Sequence, residues 1–177
     1  MTENIPPKPQ AAPAESIDSS AWSPRARADQ EKAIGRCLEL ASEATSSADV
    51  PVGAVVFSAA GEVLGEGFNT RERDDDPAGH AEITALRAAA ASLGSWRLDG
   101  CVLAVTLEPC PMCAGAIYQS RIGHVIFGAW DEKAGAAGSV FDILREPRLN
   151  HWVEVHPGVR AEECADQLRA FFEQFRR

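Results

Sequence analysis

Two segments, His80-Ala81-Glu82 and Pro109-Cys110-Pro111-Met112-Cys113, about thirty residues apart, decide the reading of this chain. Together they offer one imidazole, two thiols and one carboxylate to a single zinc ion. A structural zinc is closed by four protein ligands, whereas a catalytic zinc keeps three and leaves a position for water. Here three good ligands, His80, Cys110 and Cys113, stand with an acid, Glu82, two residues beyond the histidine. The pattern predicts a site that activates a water and moves its protons. A lone Cys-x-x-Cys is ambiguous; one that opens a helix after a strand, with His-x-Glu opening the preceding helix, is much sharper. The competing readings are a zinc that only staples the fold, with Cys101 as the fourth ligand to watch, or a pair of reduced core cysteines.

Working outward, Pro111 suits the first position of a helix, which predicts a helix over 111–120. An Ala-rich stretch predicts another over 80–92. Residues three apart on a helix share a face, so Cys110 and Cys113 can converge on one ion. The partial positive charge of a helix N-terminus favours the thiolate that a metal needs. Strands are expected at Val52 to Phe57, Val63 to Phe68, Val102 to Thr106, Val125 to Phe127 and Trp152 to Val155. Ile34, Cys37, Leu38 and Ala41 recur at helical spacing within a first helix over about 25–46. A last helix over about 161–175 carries Cys164, Leu168, Phe171, Phe172 and Phe175 on one stripe, read as core packing. Thr70 to Ala78, with Asp74-Asp75-Asp76-Pro77, reads as a polar loop. Strands alternating with helices predict an α/β layered domain with both motif helices on one sheet face.

The 177 residues suit one domain with a modest core, and no apolar run approaches the roughly 18–20 residues that span a bilayer. Residues 1–24, rich in Pro and Ala without hydrophobic period, read as a disordered arm, and 25–177 as the domain. Neither a secretory signal nor a transit peptide is evident, and five cysteines, an odd number, predict buried free thiols at Cys37, Cys101 and Cys164 rather than a disulfide framework. A net charge of −9 argues against non-specific nucleic-acid binding, which favours basic chains.

Beyond the zinc motif, several segments resemble the bacterial tRNA-specific adenosine deaminase family, within the zinc-dependent cytidine/deoxycytidylate deaminase superfamily. They include Pro51-Val52-Gly53-Ala54-Val55, Gly65-Glu66-Gly67-Phe68-Asn69, Thr106-Leu107-Glu108-Pro109-Cys110, Ser120-Arg121-Ile122-Gly123 and Gly135-Ala136-Ala137-Gly138-Ser139. The resemblance runs from about residue 28 to the C-terminus; Ala104 departs from it, standing where the family often has tyrosine. It implies a three-layer α/β/α cytidine-deaminase-like fold with a central mixed five-stranded sheet, and a cytoplasmic homodimer with one Zn2+ per subunit. It also implies hydrolytic conversion of a tRNA wobble adenosine to inosine. The expected partner is the anticodon stem-loop of an arginine tRNA, with neither DNA nor membrane.

On that reading His80, Cys110 and Cys113 hold zinc, and Glu82 shuttles protons between water, ring N1 and the departing amino group. Asn69 is expected on the N7 side of the purine, because the N6 edge must face the metal. As a bare residue after a strand it is more often a turn former. Asp131 is aligned by the resemblance with an aspartate near the ribose hydroxyl, where a carboxylate helps to tell RNA from DNA. Arg121, Lys133, Arg145, Arg148, Arg169, Arg176 and Arg177 are candidates for phosphate contacts, and His151 and Trp152 for the anticodon-loop surface. A deaminase of free guanine or cytidine shares the same zinc chemistry, and a non-catalytic zinc module is the other class of reading.

Overall fold

A computed structural model describes residues 22–174. Of the arm, residues 1–21 lie outside the described residues, as do Phe175, Arg176 and Arg177. Trp22 packs on Phe57, ring centroids 5.1 Å apart.

Among the described residues five α-helices and five strands follow in the order α1 (Arg27–Ala44), β1 (Gly53–Phe57), β2 (Val63–Phe68), α2 (Arg71–Asp74), α3 (Ala81–Leu93), β3 (Val102–Leu107), α4 (Pro111–Gln119), β4 (His124–Ala129), β5 (Glu154–His156) and α5 (Ala161–Glu173), with a 3-10 turn at Thr45–Ser47 after α1. The strands form one sheet in the order β2-β1-β3-β4-β5. β1 pairs antiparallel with β2 and β3, whereas β3, β4 and β5 run parallel. The expected mixed five-stranded sheet is therefore present.

Alternation along the strands explains the three layers, because successive side chains leave opposite faces. Ala54, Val56, Leu103, Val105, Val125 and Phe127 pack with Ala81, Ala85 and Leu86 of α3 and Ile117 of α4. Val55, Phe57, Val102, Ala104 and Ile126 turn the other way, onto Ile34, Cys37 and Leu40 of α1 and Cys164 of α5. Central strands covered on both faces explain their nearly continuous apolar composition. Cys37, Cys101 and Cys164 are buried free thiols, as expected.

Two elements differ from the sequence reading. The polar loop contains the short helix α2, whose Glu72 and Arg73 N–H groups are accepted by the Asp49 carboxylate at 2.8 and 3.1 Å. A residue more than twenty positions away thus supplies the hydrogen bonds that the local sequence lacks. The last strand lies two residues later at its start than expected, with Trp152 exposed and Val153 buried. Phe171 is buried on the expected stripe, but Phe172 is exposed.

Candidate active site

Two close backbone approaches place the motif. A Cβ on Gly67 would stand 2.6 Å from the Ala81 carbonyl oxygen, and one on Gly65 would stand 2.4 Å from that of Ala85. Only glycine lets β2 lie this close to α3, whose contact face is alanine. Asn69, just past β2, completes the junction: its Nδ2 donates to the Val50 carbonyl at 2.9 Å and its Oδ1 accepts from the Ala81 N–H at 3.0 Å. That acceptance satisfies one of the N–H groups that a helix start leaves open. His80, in extended backbone, is the N-cap of α3.

α4 is built alike. Cys110 is its extended N-cap, Pro111 occupies the first turn, and Cys113 follows within it. The His80 Nδ1 lies 3.7 Å from the Cys110 sulfur and 3.5 Å from that of Cys113. A tetrahedral zinc with nitrogen at about 2.0–2.1 Å and sulfur at about 2.3 Å would hold such atoms about 3.6 Å apart. The donor set therefore fits zinc in kind and in spacing. Among the described residues no fourth His, Cys, Asp or Glu joins this group. Cys101 precedes β3 while Cys110 follows it, so Cys101 stands at the opposite end of the strand.

The two thiols are shifted in opposite directions. A hydrogen bond from Cys113, together with His80, pulls the Cys110 thiol down to about 4, into the thiolate form that binds metal. The bond to Cys110 and burial push Cys113 well up. The His80 imidazole moves up, chiefly through its contact with Cys110. Glu82, in the first turn of α3, is 4% exposed, and burial pushes its carboxyl up to about 6. A carboxyl near neutrality can both take and give a proton at working pH.

His80, Glu82 and Cys110 line a cleft of about 230 Å³ whose other walls include Asn69, Glu108 and Asp131. Of the six expected site residues, five line this cleft, and Cys113 is buried beside the His80 ring without reaching its wall. Asp131 stands at the far wall, its Oδ1 accepting from the Lys133 and Ala134 N–H groups at 3.0 and 3.1 Å. Glu108, unremarked in the sequence as a functional residue, is 2% exposed and fastens this loop. Arg71 on α2, also passed over, is an exposed cation on the cleft wall.

Other candidates lie apart. Arg145, Arg148 and Arg169 are paired with Asp142, Glu146 and Asp166. Arg121 donates to Asn150 at 3.0 Å, and His151 bonds the Ile122 carbonyl at 2.6 Å. Because β4 and β5 are parallel with His124 opposite Glu154, residues 151 and 152 sit at the end of the sheet away from the cleft. Lys133 remains on the cleft loop, in no ion pair among the described residues. A second cluster, His124, Glu154 and His156, also lies at that far end, with Arg25 donating to the Glu154 carboxylate.

A three-ligand zinc-type site with a buried carboxyl beside it, at the ends of β3 and β4 in an α/β/α sandwich, defines a zinc-dependent deaminase. The model of the cytidine and deoxycytidylate deaminase zinc-binding region matches residues 27–129. The tRNA-specific adenosine deaminase of Haemophilus influenzae is 47% identical over 82% of this chain and 84% of its own length. The tRNA(Ile)-lysidine synthase of Deinococcus radiodurans is 51% identical over 82% of this chain, which spans only 25% of that longer protein. A structure from a study of A-to-I editing by tRNA:A34 deaminases superposes with a TM-score of 0.73 at 37% identity, over 77% of this chain and 98% of the other. The guanine deaminase of Nitrosomonas europaea gives 0.67 at 29% identity, over 80% of this chain and 83% of the other. The chain is a deaminase of the cytidine and deoxycytidylate deaminase zinc-binding family and belongs to its bacterial tRNA-specific adenosine deaminase branch.

Proposed function

We propose that this enzyme hydrolyses the wobble adenosine of a tRNA anticodon to inosine, releasing ammonia. The observation that carries the substrate is the 47% identity to a tRNA-specific adenosine deaminase over most of both chains, against 29% to a guanine deaminase. A cleft of about 230 Å³ suits this reading, since it is smaller than the roughly 300–1,000 Å³ of pockets that enclose drug-sized ligands. It takes one flipped base and leaves the rest of the anticodon loop outside.

His80, Cys110 and Cys113 would hold one zinc per subunit, which when bound would lower the pKa of a water toward roughly 7. Glu82 is placed to take a proton from the water that adds to C6 of the adenine and to deliver it to ring N1. The same carboxyl then carries the second water proton to the amino group, which leaves as ammonia. Adenosine and water thus become inosine and ammonia, with the carboxyl restored. Asn69, held by Val50 and Ala81, offers its second Nδ2 hydrogen to the N7 side of the purine, and Asp131 accepts from the ribose 2′-OH.

The enzyme is taken to act as a cytoplasmic homodimer, as its tRNA-deaminase reading implies. Residues 1–24 are taken as an arm outside the deaminase domain of residues 25–177. Incubating the purified protein with an adenosine-wobble arginine tRNA, and separately with free adenosine, guanine and cytidine, tests the reading. Inosine confined to the tRNA supports it; turnover of a free base alone rejects it.

A further inference from the structure

Glu108 is a buried acid that the zinc chemistry does not use. It is 2% exposed and stands outside the ligand group of His80, Cys110 and Cys113. Its carboxylate gathers three main-chain donors from one loop: Oε2 accepts from the Asp131 N–H at 3.1 Å, and Oε1 accepts from those of Ala137 and Ser139 at 3.0 Å each. A carboxylate accepts several N–H groups at once and donates none, so neither an amide nor a hydroxyl can replace it in this place. Gly135 passes so close that a Cβ there would lie 2.2 Å from Glu108 Oε2.

The loop closes on Asp131 from both sides of its peptide. Glu108 takes the Asp131 N–H, while the Asp131 carbonyl accepts from the Gly135 N–H at 2.9 Å and the Ser139 hydroxyl at 2.8 Å. The Asp131 Oδ1 is held by Lys133 and Ala134, so the orientation of its carboxylate depends on this frame. The frame is also tied to the metal turn: Ala136 N–H donates to the Pro109 carbonyl at 2.8 Å, and Glu108 N–H to the Ala129 carbonyl at 2.8 Å. Glu108-Pro109-Cys110 therefore joins a zinc ligand to the loop across the cleft through two adjacent peptide links.

We propose that Glu108 is a positioning residue for deamination, setting the 131–139 loop so that Asp131 meets the sugar of the nucleotide whose base reaches the zinc site. This rests on the tRNA reading above. Glu108 acts through the loop it holds, fixing the span between the Cys110 turn and the sugar contact.

The test is a double-mutant cycle of wild type, Glu108→Gln, Asp131→Asn and the pair, assayed on an adenosine-wobble tRNA, with zinc content and amide exchange measured alongside. Gln turns the acceptor facing the Asp131 N–H into a donor. The expected result for Glu108→Gln is wild-type zinc, faster exchange of the Asp131, Ala137 and Ser139 amides, and kcat/KM lower by roughly tenfold or more, mainly through KM. Asp131→Asn should then cost little further in the Glu108→Gln background, because the two act as one unit. Gly135→Ala presses on the same contact from the loop side and should reproduce the effect, which keeps the test decisive if the Gln variant folds poorly. Full additivity, unchanged kcat/KM, or a loss explained by missing zinc overturns the proposal. If wild type forms no inosine in tRNA but deaminates a free base, the tRNA reading falls. The same cycle on the corresponding nucleoside, which carries a ribose, then decides the role of Glu108.

Discussion

Glu82 concentrates the chemistry in one side chain, and its surroundings account for its aptitude. Burial raises its carboxyl to about 6, where proton uptake and release are both easy. Glu82→Ala should leave zinc bound and lower kcat by about 10²–10⁴, the usual worth of a positioned proton shuttle. Parallel measurement of metal content and turnover checks this; retained turnover would exclude Glu82 as the shuttle. Asn69 has a double duty, because the amide proposed to face the purine also joins Val50 to the start of α3. Asn69→Ala strips partners from a buried N–H and a carbonyl, at a cost of about 1–3 kcal/mol per unsatisfied group. We expect a lower melting temperature, intact zinc and strongly weakened deamination. A variant that melts lower yet turns over normally would assign Asn69 to the fold alone.

At the scale of elements, the site depends on how closely α3 lies on β2. Gly67→Ala would set a methyl 2.6 Å from the Ala81 carbonyl oxygen and 2.8 Å from the Ala85 nitrogen, both rigid backbone atoms. Overpacking of this kind costs roughly 1–3 kcal/mol, and the helix it displaces carries His80 and Glu82. Thermal melting and zinc affinity should therefore fall together, whereas a drop in stability with unchanged zinc affinity would uncouple the packing from the site. At the other end of the sheet, His124 Nδ1 and His156 Nε2 face each other at 3.4 Å, with Glu154 and Arg25 beside them. Burial holds both imidazoles below their ordinary value of 6.5 despite the opposing pull of Glu154. The unfolded chain thus takes up protons below about 6.5 that the folded chain refuses, so this contribution is complete above that pH and is lost as pH falls. Melting between about pH 7.5 and 5.5 should drop more for wild type than for the double variant His124→Gln, His156→Gln. Equal slopes would remove the pair from the account.

These elements also show what was legible. His80, Glu82, Cys110 and Cys113 could be placed beforehand because each lies at the N-cap or in the first turn of a helix that alanine content or a leading proline announces locally. The central strands β1, β3 and β4 were visible as apolar runs bounded by turn residues, whereas the short β5, Glu154-Val155-His156, carries little apolar signal and its expected start falls two residues early. The role of Glu108 was not legible, since its partners lie 23–31 positions ahead. Helix α2 was missed because Asp49 supplies its hydrogen bonds from afar. That His151 and Trp152 stand at the end of the sheet away from the cleft was not legible either, because strand direction depends on pairing rather than on composition.

For the molecule as a whole, the acidic balance of −9 has to be reconciled with an RNA substrate. Ion pairing uses up many of the arginines, among them Arg145, Arg148 and Arg169, while Arg71 and Lys133 remain near the cleft. Few cations are left unpaired among the described residues, which limits the gain from counterion release there and puts weight on the fit of one base and its sugar in the cleft. That makes substrate choice the central claim. The most direct measurement is the nucleoside composition of an adenosine-wobble arginine tRNA after incubation with the zinc-loaded enzyme, beside free adenosine, guanine and cytidine. Inosine at the wobble position, with the free compounds untouched, is the predicted result; deamination of free guanine or cytidine with the tRNA unaltered would contradict it.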